Sequence, residues 1–104
     1  MKNVLIYRLN KQTEPVFNLL SKSKEFSFYI ALSPADFARL VFKIMPQIIV
    51  LNSDYVPDNR LLKKIFLTNP QASLYRILAD KNNTSPVLVN LRSNIKINLI
   101  DLEK

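Results

Sequence analysis

The sequence contains no cysteine, no histidine and no glycine among its 104 residues. Without Cys there is no thiolate nucleophile, no disulfide and no sulfur ligand for a metal; without His the commonest general base and zinc ligand are gone. These absences remove most hydrolase and metalloenzyme mechanisms, so no catalytic residue, no metal site and no cofactor is expected. Without Gly, neither common glycine-rich phosphate loop can form, because such loops need a backbone approach that a Cβ obstructs. Positions that require a positive φ should fall to Asn, which tolerates the left-handed region better than most residues and occurs eleven times. Long apolar runs are also missing. No stretch approaches the roughly 20 residues that span a bilayer, and no charged leader followed by an apolar segment opens the chain. The expectation is a soluble, cytoplasmic protein that does not use a membrane.

What is present fits a single domain over residues 1–104, large enough to bury a core without staples. The hydrophobic fraction, 48%, is ordinary, and it falls in short runs divided by polar residues. Fifteen basic and eight acidic residues give a formal charge of +7, which suits an anionic partner such as nucleic acid. The charge is spread out, however: residues 1–52 hold seven basic and three acidic groups, residues 53–104 eight and five. Lys63-Lys64 is the one adjacent basic pair, so a solvated surface is the simpler reading of the excess.

Val4 to Tyr7 and Ile48 to Leu51 are continuous apolar runs of the kind found in strands covered on both faces. A first helix is expected from about Thr13, with Pro15 in its first turn and Val16, Leu19 and Leu20 on one face, stopping near Ser23-Lys24. Phe26 to Leu32 reads as a second strand. Ser33-Pro34-Ala35-Asp36 supplies an N-cap, a proline at the first helical position and an acid near the positive helix end. Phe37, Leu40, Val41 and Ile44 then form a helical stripe that ends before Pro46. A polar loop over residues 52–59 leads to a third helix marked by Leu61, Leu62, Ile65 and Phe66. Asn69-Pro70 closes it, with Asn69 in a left-handed cap. Leu74 to Ala79 is a fourth strand, residues 80–85 a loop, and Ser85-Pro86 precedes a short helix over Val87–Arg92. Ile95, Ile97 and Leu99 alternate with polar residues in a last strand. Alternating strands and helices predict an α/β fold with a doubly wound, mostly parallel five-stranded sheet.

This order, the length and the phrase Phe42-Lys43-Ile44-Met45-Pro46-Gln47-Ile48-Ile49-Val50-Leu51-Asn52 resemble the receiver domain of bacterial response regulators, a flavodoxin-like fold. In that family the central strand ends in the phosphorylated aspartate; the matching residue here is Asn52. The acidic pair that holds magnesium after the first strand is replaced by Arg8 and Leu9. The hydroxyl residue after the fourth strand is matched by Leu78, and the Lys-Pro after the fifth by Asn98-Leu99. A carboxamide is not a nucleophile and a guanidinium repels a metal, so the resemblance implies a degenerate phosphoacceptor pocket at Asn52, Arg8, Asp54 and Leu78. Asp54 has no second acid beside it and reads most simply as a loop residue bonding its own turn. Arg8 reads most simply as a solvated side chain; the alternative is that it replaces the metal's charge by pairing with Asp54 or bonding Asn52.

The family's fifth helix has no counterpart before the last residue given, Lys104. An apolar part of one sheet face is therefore expected to be exposed around Ile95, Ile97 and Leu99, a candidate interface for a homodimer or a protein partner. The leading expectation is a phosphorylation-independent, receiver-like regulatory module that is not an enzyme. The alternative is a small basic nucleic-acid-binding protein in which Tyr7, Tyr29, Tyr55 and Tyr75 stack on bases.

Overall fold

The computed structural model describes residues 2–78 and 87–98. Over these the chain is an α/β structure of six strands and three helices: β1 (Lys2–Tyr7), α1 (Glu14–Leu20), β2 (Phe26–Ala31), α2 (Pro34–Ile44), β3 (Ile48–Leu51), α3 (Asn59–Thr68), β4 (Ser73–Leu78), β5 (Val87–Asn90) and β6 (Lys96–Asn98). They build one sheet in the order β2-β1-β3-β4-β5-β6. The first four strands are parallel, whereas β4–β5 and β5–β6 pair antiparallel.

The apolar runs become the central strands for the reason the sequence suggests. Val4, Leu5, Ile6 and Tyr7 are all buried, as are Ile49, Val50 and Leu51, because helices cover both faces. On one face Val16 and Leu20 of α1 pack with Val4, Ile6, Val50, Ile77 and Leu88. On the other, Phe37 and Val41 of α2 and Ile65 of α3 pack with Leu5, Tyr7, Ile49, Leu51 and Leu74.

The helices begin where their caps say. Ser33 Oγ accepts from the Asp36 N–H, and the Asp36 carboxylate reaches back to accept from the Leu32 N–H, two reciprocal bonds that fix the start of α2. Asp58 accepts from the Leu61 N–H and starts α3 in the same way. At the end of α2, Met45 adopts φ 47, and the Asn3 side chain donates to the otherwise open Ile44 carbonyl. Among the described residues no helix is long and apolar enough to cross a membrane.

Several expectations are corrected. The sheet has six described strands, not five, and it is mixed: three of its five pairings are parallel, while the two that join β5 and β6 are antiparallel. The short helix expected over Val87–Arg92 is instead strand β5 followed by a turn. Val87-Leu88-Val89 is an apolar β-branched run set against Leu78 to Arg76, and the reversal after it is made by asparagines. Asn90 Oδ1 accepts from the Arg92 and Ser93 amides, while Asn94 takes φ 62 and donates its N–H to the Asn90 carbonyl. An antiparallel neighbour needs no crossover helix, so none is required between β4 and β5. Asn69 is not a left-handed cap: its φ is −135. Among the described residues the left-handed positions are Arg8, Met45 and Asn94, so Asn fills one of these three. Helix α1 ends at Leu20, short of Ser23-Lys24. Ala79, the 80–85 loop, Pro86, Leu99 and residues 101–104 lie outside the described residues.

Candidate functional site

Because β2 and β3 flank β1 on opposite sides, the chain leaves β1 and β3 toward opposite faces, and a crevice opens beyond their carboxyl ends. Residues 8–13 and 52–55 form its walls.

Asn52 is 2% exposed, directly after β3. Its Oδ1 accepts from the Asp54 N–H at 3.0 Å, so the amide closes its own turn. Ser53 is held from two sides. Its N–H donates to Gln12 Oε1 at 3.0 Å, its hydroxyl donates to the same oxygen at 3.0 Å, and Gln12 Nε2 donates back to Ser53 Oγ at 2.7 Å. From the adjoining strand, Arg76 Nη2 donates to the Ser53 carbonyl at 2.7 Å. The opposite wall is tied by Thr13, fully buried, whose hydroxyl donates to the Arg8 carbonyl and accepts from the Asn10 N–H. Asn10 Oδ1 in turn accepts from the Gln12 and Thr13 amides.

A carboxamide accepts hydrogen bonds but does not take up a proton, so Gln12 positions the Ser53 hydroxyl without activating it. The network joins the β1–α1 loop to the β3–α3 loop across the mouth of the crevice. Below it, Tyr55 stacks on Tyr7 with ring centroids 4.4 Å apart, and Phe37 meets both rings edge-on. Burial first, then the neighbouring Tyr7 and Asp58, pushes the Tyr55 phenol above its ordinary range. Among the described residues there is no cluster of acids able to hold a metal ion.

Asn52, Asp54 and Arg8 all lie at this crevice, but the alternative contacts of Arg8 do not form. Arg8 is exposed, with φ 58; its Nε donates to the Leu32 carbonyl at 3.2 Å, and its guanidinium lies 5.8 Å from the Tyr7 ring centroid. It links the end of β1 to the end of β2 instead of Asn52 or Asp54. Asp54 is exposed. Leu78 closes β4 opposite Val87, half-buried, with no polar atom to offer the crevice. The residues that do the locking, Gln12, Ser53 and Arg76, were not singled out from the sequence. One signal was available for Arg76: a cation inside the otherwise apolar stretch from Leu74 to Leu78 must find an acceptor. Its Nε is buried without a partner, alone in this among the described residues.

The residues named for an interface differ in exposure. Ile95 is 60% exposed in the β5–β6 turn, but Ile97 packs against the cluster on the α1 face. Leu99 lies outside the described residues. Ile77 and Leu88 on that face are 2% and 0% exposed. Of the four tyrosines, Tyr7 is buried, Tyr55 and Tyr75 are half-buried, and Tyr29 is exposed.

No protein-family model, no curated protein and no solved structure matches the chain.

Proposed function

We propose that the chain is a receiver-like regulatory module that works through self-association or partner docking, independently of phosphorylation, and is not an enzyme. The observation that carries this reading is the crevice after β1 and β3, where an amide stands at the end of the central strand and Ser53 bonds Gln12 across the opening and Arg76 on the adjoining strand. The parallel strands in the order β2-β1-β3-β4, with α1 on one face and α2 and α3 on the other, follow the flavodoxin-like plan as far as β4. In such folds ligands enter at this crevice; here the donors that would receive a phosphoryl group are engaged with the chain's own acceptors. Asn52 offers no carboxylate to attack phosphorus, and Arg8 points to Leu32.

The test is incubation of the purified chain with magnesium and acetyl phosphate, read by intact mass. The expected result is no added phosphoryl group, with self-association unchanged. A phosphoryl adduct on any side chain overturns the reading. The formal charge of +7 supports the nucleic-acid alternative. Retention on immobilised DNA that falls steeply with salt would favour it, although the inward packing of Tyr7 and Tyr55 withdraws two of the stacking candidates.

A further inference from the structure

We infer that the free edge of β2 pairs antiparallel with β2 of a second copy of this chain, about a two-fold axis at Phe28. This deepens the interaction-module reading and rests on it.

Strand β2 ends the sheet. The amides of Lys2 and Arg8 bond the carbonyls of Glu25 and Ala31 at 2.8 Å, so the odd-numbered residues of β2 turn their backbone groups toward β1. In a parallel ladder the residues between them turn theirs away. Phe26, Phe28 and Ile30 therefore present their N–H and C=O groups along the open edge. Edge strands that stay single are usually shielded by charge, proline or a bulge. Residues 26–31, Phe-Ser-Phe-Tyr-Ile-Ala, contain no charged residue and no proline, in a chain whose formal charge is +7. At Leu32 the edge is closed: its N–H is taken by Asp36 and its carbonyl by Arg8. The free segment thus has a defined end.

A second copy fits this segment better than an unrelated strand because the segment complements itself. Antiparallel pairing with Phe28 opposite Phe28 sets Phe26 opposite Ile30 in both directions. Each of these three pairs joins residues whose backbone groups both face outward, so each exchanges two hydrogen bonds and no free group is left. On the α1 face the pairing brings together side chains that are only half-buried in the single chain: Phe28, already edge-on to Phe17, and Phe26 beside it. The same register carries Lys24 of the second copy to Leu32, next to the Asp36 carboxylate. Arg8, bonded to the Leu32 carbonyl, and Arg39, paired with Asp36, stand at the same flank, so the pairing rests on the backbone groups and the apolar side chains and not on opposite charge. The other edge, β6, is three residues long and carries Lys96.

The test is light scattering of the full chain across micromolar concentrations, with three variants. The expected mass for the unmodified chain is twice 12.1 kDa. Phe28→Lys sets two cations face to face on the axis and is expected to return the mass to 12.1 kDa. Ile30→Pro removes an outward N–H without touching the β1 ladder, and is expected to do the same with an unchanged circular-dichroism spectrum. The chain has no cysteine, so a single introduced thiol can cross-link only between copies. Phe28→Cys is expected to form a disulfide dimer on mild oxidation, the paired Cα atoms lying about 5.5 Å apart, within disulfide range. Leu67→Cys, on the 83% exposed residue of α3, is expected not to. A single chain at every concentration overturns the proposal, as does a dimer indifferent to Ile30→Pro or cross-linked through Leu67→Cys and not Phe28→Cys. If such a result comes with no phosphoryl adduct, the edge pairing alone fails and partner docking remains. An adduct overturns the underlying reading instead.

Discussion

The block of β1 to β4 and the antiparallel extension of β5 and β6 belong to one sheet but hold their registers by different means. In the block, Val4–Tyr7 and Ile49–Leu51 are buried on both faces. A slip of one residue would reverse which side chains meet α1 and which meet α2 and α3. In the extension, β6 has one half-buried apolar residue, Ile97, and Lys96 is exposed. Its register is set by the turn, where Asn90 accepts two amides and Asn94 takes the left-handed conformation. Burial thus specifies the block and, through Leu88 and Val89, β5, whereas local turn chemistry specifies β6. Damage to each should therefore spread differently.

Ile49→Ala, in the middle of the block with no exposed surface, is expected to cost about 2–5 kcal/mol. Block and extension should be lost together in a single denaturant transition, because β4 is anchored on β3. Two separate transitions would show the extension to be self-supporting. Gln12→Ala leaves the Ser53 N–H and hydroxyl without their acceptor; the expected loss is about 1–3 kcal/mol, with faster amide exchange at residues 52–55. Unchanged exchange there would mean that the crevice is held without the lock. Asn90→Ala removes the acceptor for Arg92 and Ser93 and is expected to cost about 1 kcal/mol. Its signature is local: exchange rises in β5 and β6 while β1 and β3 keep their protection. A uniform rise would erase the distinction between the two regions.

The smallest effect is with pH, and it falls on the block. The Leu32 N–H, and after it Arg39, holds the Asp36 carboxyl below its ordinary value. Its contribution is present above the unfolded value of about 3.9 and is lost as pH falls through the lower folded value. Tyr55 is raised, chiefly by burial, so its contribution is complete below about 10 and is lost as pH rises through the higher folded value. Thermal midpoints should sag at both ends of the scale, and Asp36→Asn should flatten the acid side.

What the sequence discloses follows the same division. The block was legible because its signals are regional: apolar runs for β1 and β3, a helical stripe from Phe37 to Ile44, and the Ser33–Asp36 cap. Each depends on many residues agreeing. The extension was misread because the decision rests on few atoms. Val87–Arg92 is too short for its periodicity to separate helix from strand, and Asn90 and Asn94 look alike until their backbone angles are known. At the crevice, Asn52 and Asp54 were named by the receiver resemblance, which rests on the strand they follow. Gln12 and Ser53 were not, because they are 41 residues apart and neither is unusual alone. Arg8 bonds Leu32, whose main-chain carbonyl no side-chain pattern announces.

The strand order carries a consequence for synthesis. Among the described strands, each after β1 lies beside one made earlier: β2 and β3 against β1, β4 against β3, β5 against β4 and β6 against β5. As the polypeptide leaves the ribosome, every new strand meets a finished template and never waits for one still untranslated. The sheet can thus assemble in the order in which it is translated.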